Sequence, residues 1–326
     1  MRAVTITEPG GPEVLKLEQH DVPEPGPGQI RVRVRASALN RADILQRRGL
    51  YPPPPGAPAE IPGLEYAGEV DALGPGAGLW AVGNRVMGIV GGGGHAEYVV
   101  IHEREAVRIP QNLPWEEAAA VPEAFMTAYD ALMRQAGLRA DERVLIHAVG
   151  SGVGLAALQL ARAMGATVLG TSRTPEKLRR AAEWGLETGL DAAPAQLPDA
   201  VREATAGEDI HVVLDLVGGP YFEAALQLVG SSGRIVLVGL MAGSRVEIDL
   251  GTLLRKRIRV FGTVLRSRPL LEKIQLAREF SQNVLPLLTS GKIRPVIDRV
   301  VPFSEIAEAQ KAMEANQTFG KVVLRW

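Results

Sequence analysis

The sequence predicts an α/β protein that joins a small β-barrel to a doubly wound parallel sheet. Three observations carry that expectation. Arg143–Gly154, RVLIHAVGSGVG, reads as a buried strand that turns through glycines into a helix. Beyond Thr171, strand and helix patterns alternate, as a parallel sheet with crossover helices requires. In the first hundred residues, by contrast, short strands lie between glycine and proline turns with little helix among them.

Taken in order, residues 2–7 (RAVTIT) and 14–18 (VLKLE) alternate like strands around a Gly-Gly-Pro turn. Residues 29–38 set Ile30, Val32 and Val34 against Arg31, Arg33 and Arg35, the period of a half-buried antiparallel strand. Residues 39–49 predict a short helix, and Tyr51 then leads four prolines, which hold the loop extended and cannot feed a sheet ladder. Strands are expected over 63–71, 84–90 and 96–101. From Trp115 two helical patches follow, split at Pro122. The parallel sheet is assigned strands at 144–146, 167–171, 210–217 and 233–238, with helices at 153–164, 176–184 and 221–228. Residues 258–261 (IRVF) read as a short β-prone segment at the end of this domain. The tail predicts a long helix near 270–288, a strand near 298–301, a helix near 305–314 and a last strand at 321–324.

The strand–turn–helix unit is built to hold a diphosphate: glycines let the backbone come close, and free N–H groups at the helix start point at the anion. The fingerprint is incomplete, since Val149 and Ser151 stand where a G-x-G-x-x-G ending at Gly154 needs glycine. The tip of the next strand, TSRTPEK, has no acid for a ribose hydroxyl and offers Ser172, Arg173, Thr174 and Lys177 instead. Hydroxyls with cations suit a 2′-phosphate, so the expected cofactor is NADPH rather than NADH. The alternative is that Arg173 and Lys177 are solvated charges, though cations at a helix start oppose its dipole.

Composition narrows the function further. The formal net charge is −1 and no basic tract is present, which argues against nucleic acid or an anionic membrane as partner. There is no cysteine, so disulfides, thiolate catalysis and zinc–sulfur sites are excluded. No signal peptide and no apolar run of membrane-spanning length is visible, so a soluble cytoplasmic protein is expected.

The stretches LNRADILQRRGLYPPPPG, IPGLEYAGEV, AAAVPEAFMTAYDAL, VLIHAVGSGVG, VVLDLVGG, GRIVLVGLMAG and MEANQTFGKVVL, in order along nearly the whole chain, resemble the zinc-free quinone oxidoreductases. These form the zeta-crystallin-like branch of the medium-chain dehydrogenase/reductase superfamily. LYPPPPG and GTVLRSR are most similar to its p53-inducible type. The resemblance implies a GroES-like catalytic domain from residues 1–122 and 266–326, with a Rossmann NADPH-binding domain, 123–265, inserted between them. It implies metal-free hydride transfer from NADPH to a small-molecule quinone by a homodimer paired through the IRVF edge. Reduction of enone or alkenal double bonds is the enzymatic alternative, and a non-enzymatic cofactor-binding protein (crystallin-like or RNA-binding) is the alternative of another class. In the zinc-binding branch the catalytic ligands are a Cys and the His of a G-H-E motif; Asn40 and Leu64 stand in those places. His20, His95, His102, His147 and His211 show no metal spacing, and His147 is read as structural.

Carried over by residue, the resemblance puts Gly150, Ser151, Gly152 and Val153 at the diphosphate, and Arg173, Thr174 and Lys177 at the 2′-phosphate. Gly239, Leu240, Met241, Val264, Leu265 and Arg266 would line the nicotinamide side, with Asn316 and Lys321 closing the cofactor cleft from the tail. Ala192 replaces a Tyr frequent in the family near the adenosine phosphate, which leaves that pocket looser or rebuilt by Arg173. Asn40, Asp43, Tyr51 and Thr127 would line the catalytic side. Without a metal, carbonyl polarisation falls to hydrogen bonds, with Tyr51 and Asn40 as candidates and Tyr51 as the one acid. Ordinary alternatives stay open: Asn40 as a helix cap, Tyr51 packed on proline, Thr127 bonded back to the main chain, Asp43 positioning its neighbours.

Overall fold

The computed structural model describes all 326 residues, and packing divides them into two compact units: Met1–Met126 with Leu265–Trp326, and Thr127–Val264. The first division lies inside the helix Pro122–Tyr129.

The first unit is organised by the strand Gln29–Ala38, whose alternation buries Ile30, Val32 and Val34. It pairs antiparallel with Glu65–Leu73, with Tyr98–His102 and, at its end, with Lys321–Arg325. The seven-stranded sheet runs Ile297–Pro302, Lys321–Arg325, Gln29–Ala38, Glu65–Leu73, Arg85–Ile89 and Val107–Arg108, with Tyr98–His102 pairing off this path. Strand register sets which side chains meet at the end of this sheet. Val323 faces Ala38 on one side of the central strand, and Ala67 faces Ala36 on the other. The first residues of both outer strands, Lys321 and Glu65, are thereby brought to the end of the central strand, where the helix Arg41–Arg47 begins. Helix formation near the C-terminus departs from expectation. The pattern over 270–288 reads as one helix, but the chain forms Leu270–Asn283 and then Leu285–Thr289, because Pro286 has no N–H to continue the first ladder.

The second unit is a six-stranded parallel sheet in the order Thr188–Leu190, Thr167–Thr171, Arg143–Ile146, Ile210–Asp215, Val229–Leu237, Arg259–Gly262. By position in the chain that is 3-2-1-4-5-6, the doubly wound dinucleotide-binding order, with its switch point beside Arg143–Ile146. Val144, Leu145 and Ile146 are fully buried, as a central parallel strand covered on both faces requires. Burial of each such side chain stabilises the fold by about 1.5–3 kcal/mol before chain entropy is counted. The strand Thr188–Leu190 and the helices Leu197–Ala204 and Leu250–Lys256 are additional to the expected elements. No helix is long and apolar enough to cross a membrane.

Candidate functional site

At the end of the central strand, three side chains from distant parts of the chain form a buried polar knot. Lys321 Nζ donates to Leu39 O at 2.9 Å, to Asn40 Oδ1 at 2.6 Å and to Glu65 Oε1 at 2.6 Å. Asn40 Nδ2 donates to Glu65 Oε1 at 2.8 Å and to Ala38 O at 3.2 Å. Glu65 Oε2 accepts the Glu123 backbone N–H at 2.8 Å. Glu65 is 0% and Lys321 4% exposed, so neither charge is met by bulk water and each depends on the other. Asn40 precedes the helix Arg41–Arg47, and its backbone N–H donates to Asp43 Oδ2 at 2.7 Å, one half of a capping box. Asp43 Oδ1 accepts the Gly63 N–H at 3.2 Å, and His95 Nε2 stands 3.5 Å from Asp43 Oδ2. Gly63 has φ +103°, and a Cβ there would lie 2.4 Å from His95 N, so this turn admits only glycine.

This placement shows which bonds these side chains already make within the chain. Both amide hydrogens of Asn40 are committed to protein acceptors, which leaves none for an acceptor carbonyl. Lys321 has all three ammonium protons engaged in the knot, where its charge faces that of Glu65. Asp43 positions its neighbours, the alternative that its sequence context left open. Arg266 is likewise committed inside the first unit: it is 3% exposed, and its guanidinium donates to Gly91 O at 2.6 Å, Tyr51 O at 3.2 Å and Gln46 Oε1 at 2.5 Å. It also lies 5.0 Å from the centre of the Tyr51 ring. Tyr51 is therefore clamped through its backbone and ring while its phenol stays half-buried. Burial raises that phenol above its ordinary pKa, and the nearby Glu123 adds to the rise against the opposing pull of Arg266. Leu265 is buried, and Asn316 Oδ1 accepts a hydrogen bond from Arg41 at 3.0 Å.

One residue of this region was not singled out from the sequence. Glu123 is pushed up to about 8, by burial first and by the neighbouring Glu65 second, with Lys321 and Arg266 opposing. Its Oε2 is buried without a hydrogen-bond partner. The available signal was a single acid at the start of an otherwise apolar helix, PEAFMTAY.

In the second unit, Ser151 caps the helix Gly152–Ala163, its Oγ accepting the Gly154 N–H at 3.1 Å. A Cβ on Gly154 would lie 2.6 Å from Val149 O and 2.7 Å from Ala148 O, so the last fingerprint glycine lets the helix start against the strand end. Gly152 and Val153 are half-buried at this helix start. Arg173 and Thr174 are exposed at the tip of the next strand, where Thr174 opens the helix Pro175–Glu183; Lys177 is half-buried in its first turn. Leu240 and Met241, just beyond the fifth strand in that order, are 53% and 52% exposed, and Val264 is 48% exposed. Thr127 is buried, and its Oγ1 has no hydrogen-bond partner, so it is not bonded back to the main chain. His147 is fully buried, with Nδ1 3.1 Å from Thr171 Oγ1, and burial lowers it to about 3, so it stays neutral. The sequence also passed over Asp215, which accepts the Val217 and Gly218 N–H groups at 2.8 Å and fixes the turn after its strand.

The comparisons with known proteins agree with this architecture. Residues 26–111 match the alcohol dehydrogenase GroES-like domain and residues 152–289 match the zinc-binding dehydrogenase family. A quinone oxidoreductase of Pseudomonas aeruginosa is 36% identical over 97% of this chain and 96% of its own length. The human quinone oxidoreductase is 31% identical over 99% of this chain and 97% of its own. Among solved structures, a mycobacterial protein in complex with NADPH superposes with a TM-score of 0.88 at 28% identity, covering both chains fully.

Proposed function

The chain belongs to the zeta-crystallin-like quinone oxidoreductases of the medium-chain dehydrogenase/reductase superfamily, and from that membership we propose that it reduces quinones with NADPH and without a metal. The observation that carries this reading is full-length similarity to quinone oxidoreductases, 36% identity over 97% of the chain. NADPH, when bound, supplies the hydride. Backbone N–H groups at Gly152 and Val153, at a helix start that Gly154 allows close to the strand, hold the diphosphate. Arg173, Thr174 and Lys177 face the 2′-phosphate, and Gly239, Leu240, Met241 and Val264 lie on the nicotinamide side. Tyr51, clamped by Arg266, presents its phenol to the acceptor carbonyl. The knot of Asn40, Glu65 and Lys321 keeps the floor of this region rigid. The protein acts in the cytoplasm as a homodimer paired through the edge strand Arg259–Gly262. NADPH consumption with and without 9,10-phenanthrenequinone tests the proposal; oxidation that does not depend on the quinone counts against it.

A further inference from the structure

Hydride transfer leaves negative charge on the acceptor, and the first unit holds few groups able to meet it. Lys321 gives its three protons to Leu39 O, Asn40 Oδ1 and Glu65 Oε1. Asn40 gives its two to Ala38 O and Glu65 Oε1. Arg266 is taken up by Gly91, Tyr51 and Gln46, and burial makes Tyr51 a weaker acid than usual. Glu123 is different. Its backbone N–H is tied to Glu65 Oε2 at 2.8 Å, which sets its carboxyl beside an existing negative charge. Its Oε2 is buried with no protein partner, while the residue as a whole is half-buried. The charged groups around it are Glu65 and Asp43, which oppose its ionisation, and Lys321 and Arg266, which favour it; the Tyr51 phenol is the remaining titratable neighbour.

We propose that Glu123 is the proton donor of the acceptor site, its carboxyl giving the proton that the reduced acceptor takes up. This rests on the oxidoreductase reading above. The hydride adds to the acceptor with its electron pair, the acceptor anion takes the carboxyl proton, Glu123 is left as the carboxylate, and water returns a proton to it. A carboxyl that stays neutral to about pH 8 has a proton to give at neutral pH. Above that pH the same group becomes a carboxylate, which both lacks the proton and repels the developing anion.

The test is the pH profile of kcat/KM with 9,10-phenanthrenequinone in wild type and Glu123→Gln. The wild-type rate should fall as pH rises past about 8, approaching tenfold per pH unit. Glu123→Gln should lose that alkaline limb and be slower near pH 7 by about 100-fold or more, as for removal of a general acid, with NADPH affinity by fluorescence titration unchanged. Glu123→Asp should restore a limb. A wild-type rate flat through pH 9, or an unchanged limb in Glu123→Gln, overturns the proposal. A second readout needs no turnover: the urea stability of wild type relative to Glu123→Gln between pH 5 and 9. A carboxyl raised from 4.5 to about 8 binds its proton more tightly when folded. Its stabilisation is therefore present below 4.5 and lost as pH rises through about 8. Wild type should lose at least about tenfold in folding equilibrium relative to Glu123→Gln across that range; parallel curves overturn the proposal. Absence of quinone turnover with a normal Glu123 stability signature would instead count against the quinone reading alone.

Discussion

Replacing Lys321 with Met removes the one cation that faces Glu65 in the knot while keeping a long side chain in the same buried space. The carboxylate would keep only the Asn40 amide and the Glu123 N–H, both at 2.8 Å, and Leu39 O would lose its donor. Breaking a buried pair by removing one partner costs about 3–5 kcal/mol, because the remaining charge is left uncompensated. Glu65→Gln alone should also be costly, by about 2–4 kcal/mol. Either orientation of its amide sets an NH₂ against a donor, Glu123 N–H on one side or Lys321 and Asn40 on the other. In the double variant this conflict disappears. The amide introduced by Glu65→Gln can accept from the Glu123 N–H and donate to a reversed Asn40 amide, so the two costs should fall short of their sum by about 2–3 kcal/mol. Urea unfolding followed by tryptophan fluorescence suits the measurement, since Trp80, Trp115 and Trp326 lie in the first unit and only Trp184 in the second. Strictly additive costs, or a Lys321→Met variant as stable as wild type, would refute the reasoning.

The other predictions concern cofactor, metal and assembly. Lys177→Ala should weaken NADPH binding by about 1.5–3 kcal/mol and leave NADH binding nearly unchanged; a wild type with equal affinity for both cofactors sinks the 2′-phosphate assignment. Activity should survive prolonged exposure to EDTA or phenanthroline, because Asn40 and Leu64 stand at the zinc branch's ligand places. Stoichiometric zinc that is lost together with activity would contradict this. Val260→Pro should weaken the dimer. Thr263 N donates to Leu237 O, so by alternation the Val260 N–H points to the free edge, where proline removes it without breaking the internal ladder. Light scattering at micromolar concentration reads the effect, and a monomeric wild type would end the argument.

What was legible in the sequence is what depends on local pattern. The alternation of residues 29–38 gave the strand Gln29–Ala38 to the residue, and the run VLI with its glycine turn located the centre of the parallel sheet. Segments with a weak apolar pattern were missed. Leu250–Lys256 buries none of its residues, and Thr188–Leu190 is a three-residue edge strand. The polar knot was out of reach for a different reason. Asn40, Glu65 and Lys321 meet only because two strands flank Gln29–Ala38 in a particular register, and pattern says nothing about register between strands 256 residues apart. The roles that the resemblance implies for Lys321 and Asn40 carried no sign of the bonds that join the two residues. Glu123 went unnoticed because its behaviour comes first from burial and then from Glu65 beside it, and both depend on non-local packing. Tyr51 was singled out through the family resemblance, and the Arg266 clamp that holds it, 215 residues away in sequence, was out of reach of local pattern.

The most direct measurement of the central claim, hydride transfer from NADPH to quinones, is kcat/KM for large ortho-quinones and for simple enones in wild type and Tyr51→Phe. A quinone product becomes an aromatic hydroquinone anion that is protonated on oxygen, whereas an enone leaves an enolate that must be protonated on carbon, a slower transfer even from a placed acid such as Glu123. Wild type should turn over ortho-quinones fast and simple enones slowly. Tyr51→Phe should lower quinone reduction only modestly, by about 1 kcal/mol in transition-state stabilisation, because one hydrogen bond is lost. An enone preference in wild type that Tyr51→Phe abolishes would contradict the assignment.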